Sequence, residues 1–149
     1  MKVLVLGASG VIGQHMRLCV PDGVSPVWHR RSSDSLHLGC DIGDAEALED
    51  FLETVNPDAI VNLAGESSPD KVEQFPGEYR PVNAEAPRRL AAWAEANGRR
   101  LIQVSTQAVF DGAHPPYSAS APKCPVNAYG AQKAVAEAAV LAHAGSIVA

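Results

Sequence analysis

At 149 residues the chain has room for one domain with a real core, and little for a separate substrate lobe. Its composition, 46% apolar, 19% charged and 5% aromatic, is that of an ordinary globular protein. The formal charge of −5 excludes a general attraction to nucleic acid or anionic lipid, so any anionic ligand must be held locally.

The opening "MKVLVLGASG" has a run of four apolar residues before Gly7, too short for a secretory core or a membrane span, and a cytoplasmic protein is expected. Residues 3–6 read as a strand buried on both faces. In "GASGVIGQHMRLCV" three glycines punctuate a turn, after which Val11, Ile12, His15, Met16 and Cys19 recur at helical spacing. Residues 24–28 are a second strand and 36–40 a weaker third. "DAEALEDFLETVNPD" predicts a helix with Leu48, Phe51, Leu52 and Val55 on one face, Asp44 as its cap, and Asn56 and Pro57 at its end. "AIVNLAG" reads as a fourth strand, followed by a polar loop. "NAEAPRRLAAWAEANG" predicts a helix with Asn83 as cap, Pro87 in the first turn and Gly98 as terminator. "RLIQVST" is a fifth strand. A loop over 111–126 leads to a helix carrying Tyr129 and Lys133, and "SIVA" begins a sixth strand. Strands alternating with helices imply an α/β doubly wound parallel sheet, the Rossmann fold.

Ligands of such sheets bind beyond the carboxyl ends of the strands. "GASGVIG" lies there: Gly7 permits a tight turn, Gly10 leaves room where a pyrophosphate approaches, and Gly13 lets the helix pack against the sheet. The backbone around Ser9, Val11 and Ile12 supplies the N–H groups of an anion site. Where the second strand ends, an acidic residue would grip a ribose 2′-hydroxyl; this chain instead reads "VWHRRSS". Arg30 and Arg31 suit a 2′-phosphate, so NADP(H) is expected in preference to NAD(H), which stays open. In "NAYGAQK" Tyr129 and Lys133 are one helical turn apart, a cation beside a phenol, as proton transfer requires. Cys19, Cys40 and Cys124 have no CxxC or zinc spacing; they are expected to be reduced, small apolar residues at least partly buried, with no metal.

Taken in order, "GASGVIG", "CDIGD", "NLAG", "VNA", "ST" and "YGAQK" resemble the extended short-chain dehydrogenase/reductase superfamily. Within it, "NPDAIVNLAG", "PDKVEQFP", "VNAEAPRRLA", "STQAVFDG" and "PPYSASAPKCPVNAYGAQKAVAE" are similar to the dTDP-4-dehydrorhamnose reductase family and its sugar-nucleotide relatives. The resemblance implies NADP(H)-dependent reduction of a 4-keto nucleotide-sugar. Tyr129 would donate the proton, Lys133 would hold the nicotinamide ribose and assist the tyrosine, and Thr106 would hydrogen-bond the reacting carbonyl. Asn83 would help to organise the lysine. Asp41 and Ile42 would lie beside adenine, with Asn62, Leu63, Ala64 and Gly65 lining the cofactor groove. Asp70 and Lys71 match the same pattern, though an exposed ion pair at a helix end explains them equally.

Two departures accompany the likeness. Gln107 and Ala108 stand where the family usually carries an aspartate and a tyrosine. The family pattern also continues past residue 149, so the chain is expected to be a single NAD(P)-binding domain, 1–149, ending within strand six with most of the C-terminal substrate lobe beyond it. Two alternatives stay open: a dinucleotide-binding regulatory or interaction subunit with a partner enzyme, and a nucleotide-sugar epimerase or dehydratase with tightly bound NAD. A homodimer is equally compatible.

Overall fold

The computed structural model describes residues 1–149. Six parallel strands form one sheet: β1 (Lys2–Leu6), β2 (Ser25–Arg30), β3 (Leu38–Gly39), β4 (Ala59–Asn62), β5 (Arg100–Gln103) and β6 (Ser146–Val148), in the order β3-β2-β1-β4-β5-β6. The order reverses between β1 and β4, which opens a crevice above their carboxyl ends. This is the expected doubly wound Rossmann architecture.

The two faces of the sheet are covered unequally. Alternation along β1 sends Leu4 and Leu6 into a core shared with Leu48 and Leu52 of α2 (Ala45–Val55), Leu90 of α5 (Ala86–Ala96) and Val140 of α6 (Ala128–Leu141). Val3 and Val5 face the other way, into a small cluster under α1 (Val11–Met16) and the 3₁₀ turn Arg17–Cys19. On that second face Ile102 and Ile147, paired in register on β5 and β6, are exposed.

Local chemistry accounts for the helix limits. The Asp44 carboxylate accepts the N–H groups of Glu46 and Ala47 and so caps α2, a contribution of about 1 kcal/mol; Asn56 ends the helix in the left-handed region. Asn127 caps α6 by accepting from the Gly130 amide at 2.7 Å.

Four expectations are corrected. The polar loop after β4 contains two short helices, α3 (Pro69–Gln74), capped by Ser68, and α4 (Pro76–Arg80). A π turn, Pro81–Glu85, joins α4 to α5, with the Ala86 N–H donating to the Pro81 carbonyl five residues back. Asn83 is buried inside this turn and caps nothing. Val11 and Ile12 are exposed, because α1 packs through Gly13 against the Ala8 backbone in the turn after β1. Cys19 and Cys124 are exposed, and only Cys40 is buried. No helix is long and apolar enough to cross a membrane.

Candidate functional site

The glycine turn is built by close backbone contact. Gly7 has φ +75°, and a Cβ there would lie 2.7 Å from the Ala64 nitrogen; at Gly13 it would lie 2.5 Å from the Ala8 Cα. Both positions therefore exclude a side chain. Gly10 differs, since its nearest neighbour would be the Gly7 carbonyl oxygen at 3.3 Å, and the space beyond is open. No side chain caps the start of α1, so its first-turn N–H groups face that opening without an intrachain acceptor.

His29 holds the turn from beneath. Buried at the end of β2, it accepts weakly from the Gly7 N–H at Nδ1 (3.5 Å), while Nε2 bonds the Cys40 carbonyl at 2.9 Å. The two partners assign a neutral ring with its proton on Nε2. Burial, the largest cause, pushes the His29 pKa down, partly opposed by the bond to Cys40. The His29 carbonyl also accepts from Ala8 at 2.8 Å, so one residue ties the first βα turn to β2 and the segment after β3.

Between these elements lies a groove of about 420 Å³. Gly7, Ser9 and Gly10 form one wall, Arg30, Arg31, Asp41 and Ile42 another, and Leu63, Ala64 and Gly65 the third. Of the residues expected at a nucleotide, Val11, Ile12, Gly13, Asn62, Tyr129 and Lys133 do not line it. Asn62 is buried below, donating to Gln103 Oε1 at 2.8 Å and accepting from the Ala64 amide, which fixes the turn that does line the groove. Neither arginine is free: Arg30 pairs with Asp34 at 2.8 Å and Arg31 with Asp41 at 3.5 Å.

The residues expected to carry chemistry are more dispersed. Lys133 is buried, and its Nζ donates to the Val104 carbonyl at 2.7 Å, so the ammonium is committed to the end of β5 and not to Tyr129. Burial pushes the Lys133 pKa down, opposed by the charge of Glu137. Thr106 lines a second cavity, of about 550 Å³, beyond β5. Its Oγ1 accepts from the Ala108 amide at 3.2 Å and so caps the 3₁₀ turn Gln107–Val109. Tyr129 is half-buried in the first turn of α6 and lines neither space. A Cβ on its neighbour Gly130 would lie 2.1 Å from the Ala108 carbonyl oxygen, so α6 sits directly on the turn after β5.

Asn83 makes no direct hydrogen bond to Lys133. Its Oδ1 accepts from the Glu66 amide (2.9 Å), and its Nδ2 donates to the Glu66 carbonyl (3.2 Å) and to Gln132 Oε1 (3.1 Å). Gln132 in turn donates to the Pro76 carbonyl at 2.7 Å. Asn83 therefore locks the β4 turn to α6 through the residue that precedes Lys133. Lys71 bonds Glu66 at 3.1 Å and does not pair with Asp70, which corrects that expectation.

Two participants, Glu137 and Gln132, are not among the residues expected from the sequence. Buried Glu137 accepts from the Ser105 hydroxyl and pairs with Lys123 at 3.3 Å, in the wall of the second cavity. It lies one turn beyond Lys133 on the same helix face, a spacing that identifies it. Gln132 is the second, and only tertiary structure supplies its partners; His29 falls at the expected edge after β2, and its two hydrogen bonds beneath the glycine turn come from the fold.

Comparison with known proteins agrees with the fold. Residues 1–148 match the RmlD substrate binding domain family. A dTDP-4-dehydrorhamnose reductase of Burkholderia thailandensis is 37% identical over 143 residues, covering 94% of this chain and 45% of the relative. A methionine adenosyltransferase 2 subunit beta of Rattus norvegicus is 34% identical over 146 residues, covering 94% and 42%. The chain thus spans about half the length of the relatives it matches. Among solved structures, a hypothetical dTDP-4-dehydrorhamnose reductase from Sulfolobus tokodaii superposes with a TM-score of 0.88 at 31% identity, covering 99% of this chain and 54% of that one.

Proposed function

The chain belongs to the RmlD substrate binding domain family, and from that premise we propose that it forms the dinucleotide-binding half of a reductase acting on a 4-keto nucleotide-sugar. One observation carries the reading: the groove at the strand switch has an open glycine turn on one wall and two arginines on the other. That combination suits a pyrophosphate at Gly10 and a 2′-phosphate near Arg30 and Arg31, so NADP(H) is preferred and NAD(H) is accepted. Ile42, buried, offers an apolar surface to a purine, with Asp41 at its edge.

When bound, a nicotinamide dinucleotide supplies the hydride. The chain's own groups supply the rest. Tyr129 gives its hydroxyl proton to the substrate oxygen that becomes an alcohol. Thr106 exchanges its weak 3.4 Å bond to Gln107 for one to the same oxygen. Lys133, held at the Val104 carbonyl, presents its remaining N–H donors towards the cofactor ribose. Asn83 acts at one remove, fixing α6 through Gln132.

A specific observation favours a second reading. Gln107 and Ala108 replace the family's aspartate and tyrosine, and relatives named methionine adenosyltransferase 2 subunit beta match nearly as well as the named reductases. A dinucleotide-binding regulatory subunit would retain the groove without turning over a sugar.

Titration of the purified protein with NADPH and NADH, followed by ligand fluorescence, tests the common part of both readings. Saturable binding that favours NADPH is expected, and no binding to either would sink them. Turnover of a dTDP-linked 4-keto sugar by the complete polypeptide then separates enzyme from subunit. Purification with tightly bound, oxidised NAD would instead indicate an epimerase or dehydratase.

A further inference from the structure

The two arginines of the groove are each matched by a carboxylate, so four formal charges cancel where a 2′-phosphate would sit. The two pairs are not equivalent. Arg31 and Asp41 are 3.5 Å apart and both more than half exposed, a pair of little strength. Asp34 is anchored. Its Oδ1 accepts from the Leu36 amide (2.8 Å), the His37 amide (2.9 Å) and His37 Nδ1 (2.8 Å), which leaves Oδ2 for Arg30 Nη1 at 2.8 Å.

The anchor extends further. His37 Nε2 accepts from Arg17 Nη2 at 2.7 Å, and the Arg17 guanidinium lies 4.8 Å over the Trp28 ring. A continuous chain of contacts thus runs from the end of α1 to Arg30. The Leu36 amide, then His37 and Arg30, hold the Asp34 carboxyl well below the usual carboxylate range, so it is ionised at neutral pH.

We propose that Asp34 is a specificity-determining residue that limits discrimination between the two nicotinamide dinucleotides, by keeping Arg30 as half of a neutral pair. The inference rests on the dinucleotide reading above. A 2′-phosphate must share Arg30 with a fixed carboxylate and is repelled by it; a ribose 2′-hydroxyl meets no such opposition. The preference for NADP(H) is therefore narrow, and the carboxylate charge is what narrows it.

Asp34→Asn isolates that charge, because the amide oxygen can still accept from Leu36 and His37 while the amide nitrogen no longer retains Arg30. Asp34→Ser is the second variant, keeping a hydroxyl acceptor for the loop. NADPH and NADH are titrated against wild type and both variants, with circular dichroism establishing that each is folded. The ratio of the NADH to the NADPH dissociation constant is expected to rise at least about fivefold in both variants, through tighter NADPH binding, and the rise should shrink at high salt. An unchanged ratio overturns the proposal, and a smaller one overturns it and assigns Asp34 to positioning Arg30 for the phosphate. Wild-type protein that binds neither dinucleotide removes the underlying reading, and this inference with it.

Discussion

Asn83, on the π turn between α4 and α5, and Gln132, on α6, share a buried hydrogen bond of 3.1 Å that connects the turn after β4 to the helix carrying Tyr129 and Lys133. Through Asn83 the Glu66 backbone is satisfied at both its N–H and its carbonyl. Asn83→Ala leaves these groups and Gln132 without partners in a buried region. The expected loss is about 1–3 kcal/mol, read as a melting temperature lower by about 2–4 °C for each kcal/mol. A melting curve superimposable on wild type would show that the bridge contributes nothing.

The glycines of the first turn should separate folding from binding. Gly13→Ala drives a methyl group against the Ala8 backbone and is expected to destabilise by about 1–3 kcal/mol. Gly10→Ala meets a single tight contact, the Gly7 carbonyl oxygen at 3.3 Å, relieved by a shift of a few tenths of an ångström, and should cost less than about 1 kcal/mol, while weakening NADPH at least about tenfold. Chemical denaturation and nucleotide titration of the two variants check both halves. Normal NADPH affinity in Gly10→Ala would remove the pyrophosphate from that position.

His29 predicts a pH dependence. Its folded pKa lies below the ordinary histidine value, so the unfolded chain binds the extra proton first. The stabilisation is complete above about pH 6.5 and is lost as pH falls through the depressed folded value, with a slope of at most about 1.4 kcal/mol per pH unit. The carboxylates with lowered pKa values, Asp58 and Glu66 among them, act in a more acidic window. Urea denaturation between pH 7 and pH 5 should show the decline in wild type and a flatter profile in His29→Gln. Parallel profiles would exclude His29 as its source.

In the complete polypeptide, Tyr129→Phe is expected to lower sugar reduction at least about a hundredfold, and Thr106→Val by about tenfold or more, with NADPH affinity unchanged within about twofold. Steady-state kinetics alongside nucleotide titration measure the two quantities separately. Full turnover in Tyr129→Phe would transfer the proton-donor role elsewhere.

Legibility in the sequence follows the range of the physics involved. β1 and β4 declare themselves by short apolar runs and α2 by its face and its Asp44 cap, because each depends on residues close in sequence. α3 and α4 are hidden because each is one or two turns long and begins with proline in a polar stretch. The N-cap signal at Asn83 is misleading, since the same side chain is drawn into a widened turn by partners 17 and 49 residues away. The arginines at the end of β2 are visible, but not the neutralising Asp34, whose pairing comes from a loop folded back on itself.

The contact of Gly130 with Ala108 is made through the carbonyl oxygen of residue 108, not through its side chain. What stands at position 108 can therefore change without moving α6, as long as position 130 remains glycine. The side chain at position 108, two residues from Thr106, can thus be exchanged while the helix bearing Tyr129 and Lys133 keeps its seat. If the proposed turnover were lost in favour of partner binding, this half would need no refolding, and Tyr129 would keep its position on α6.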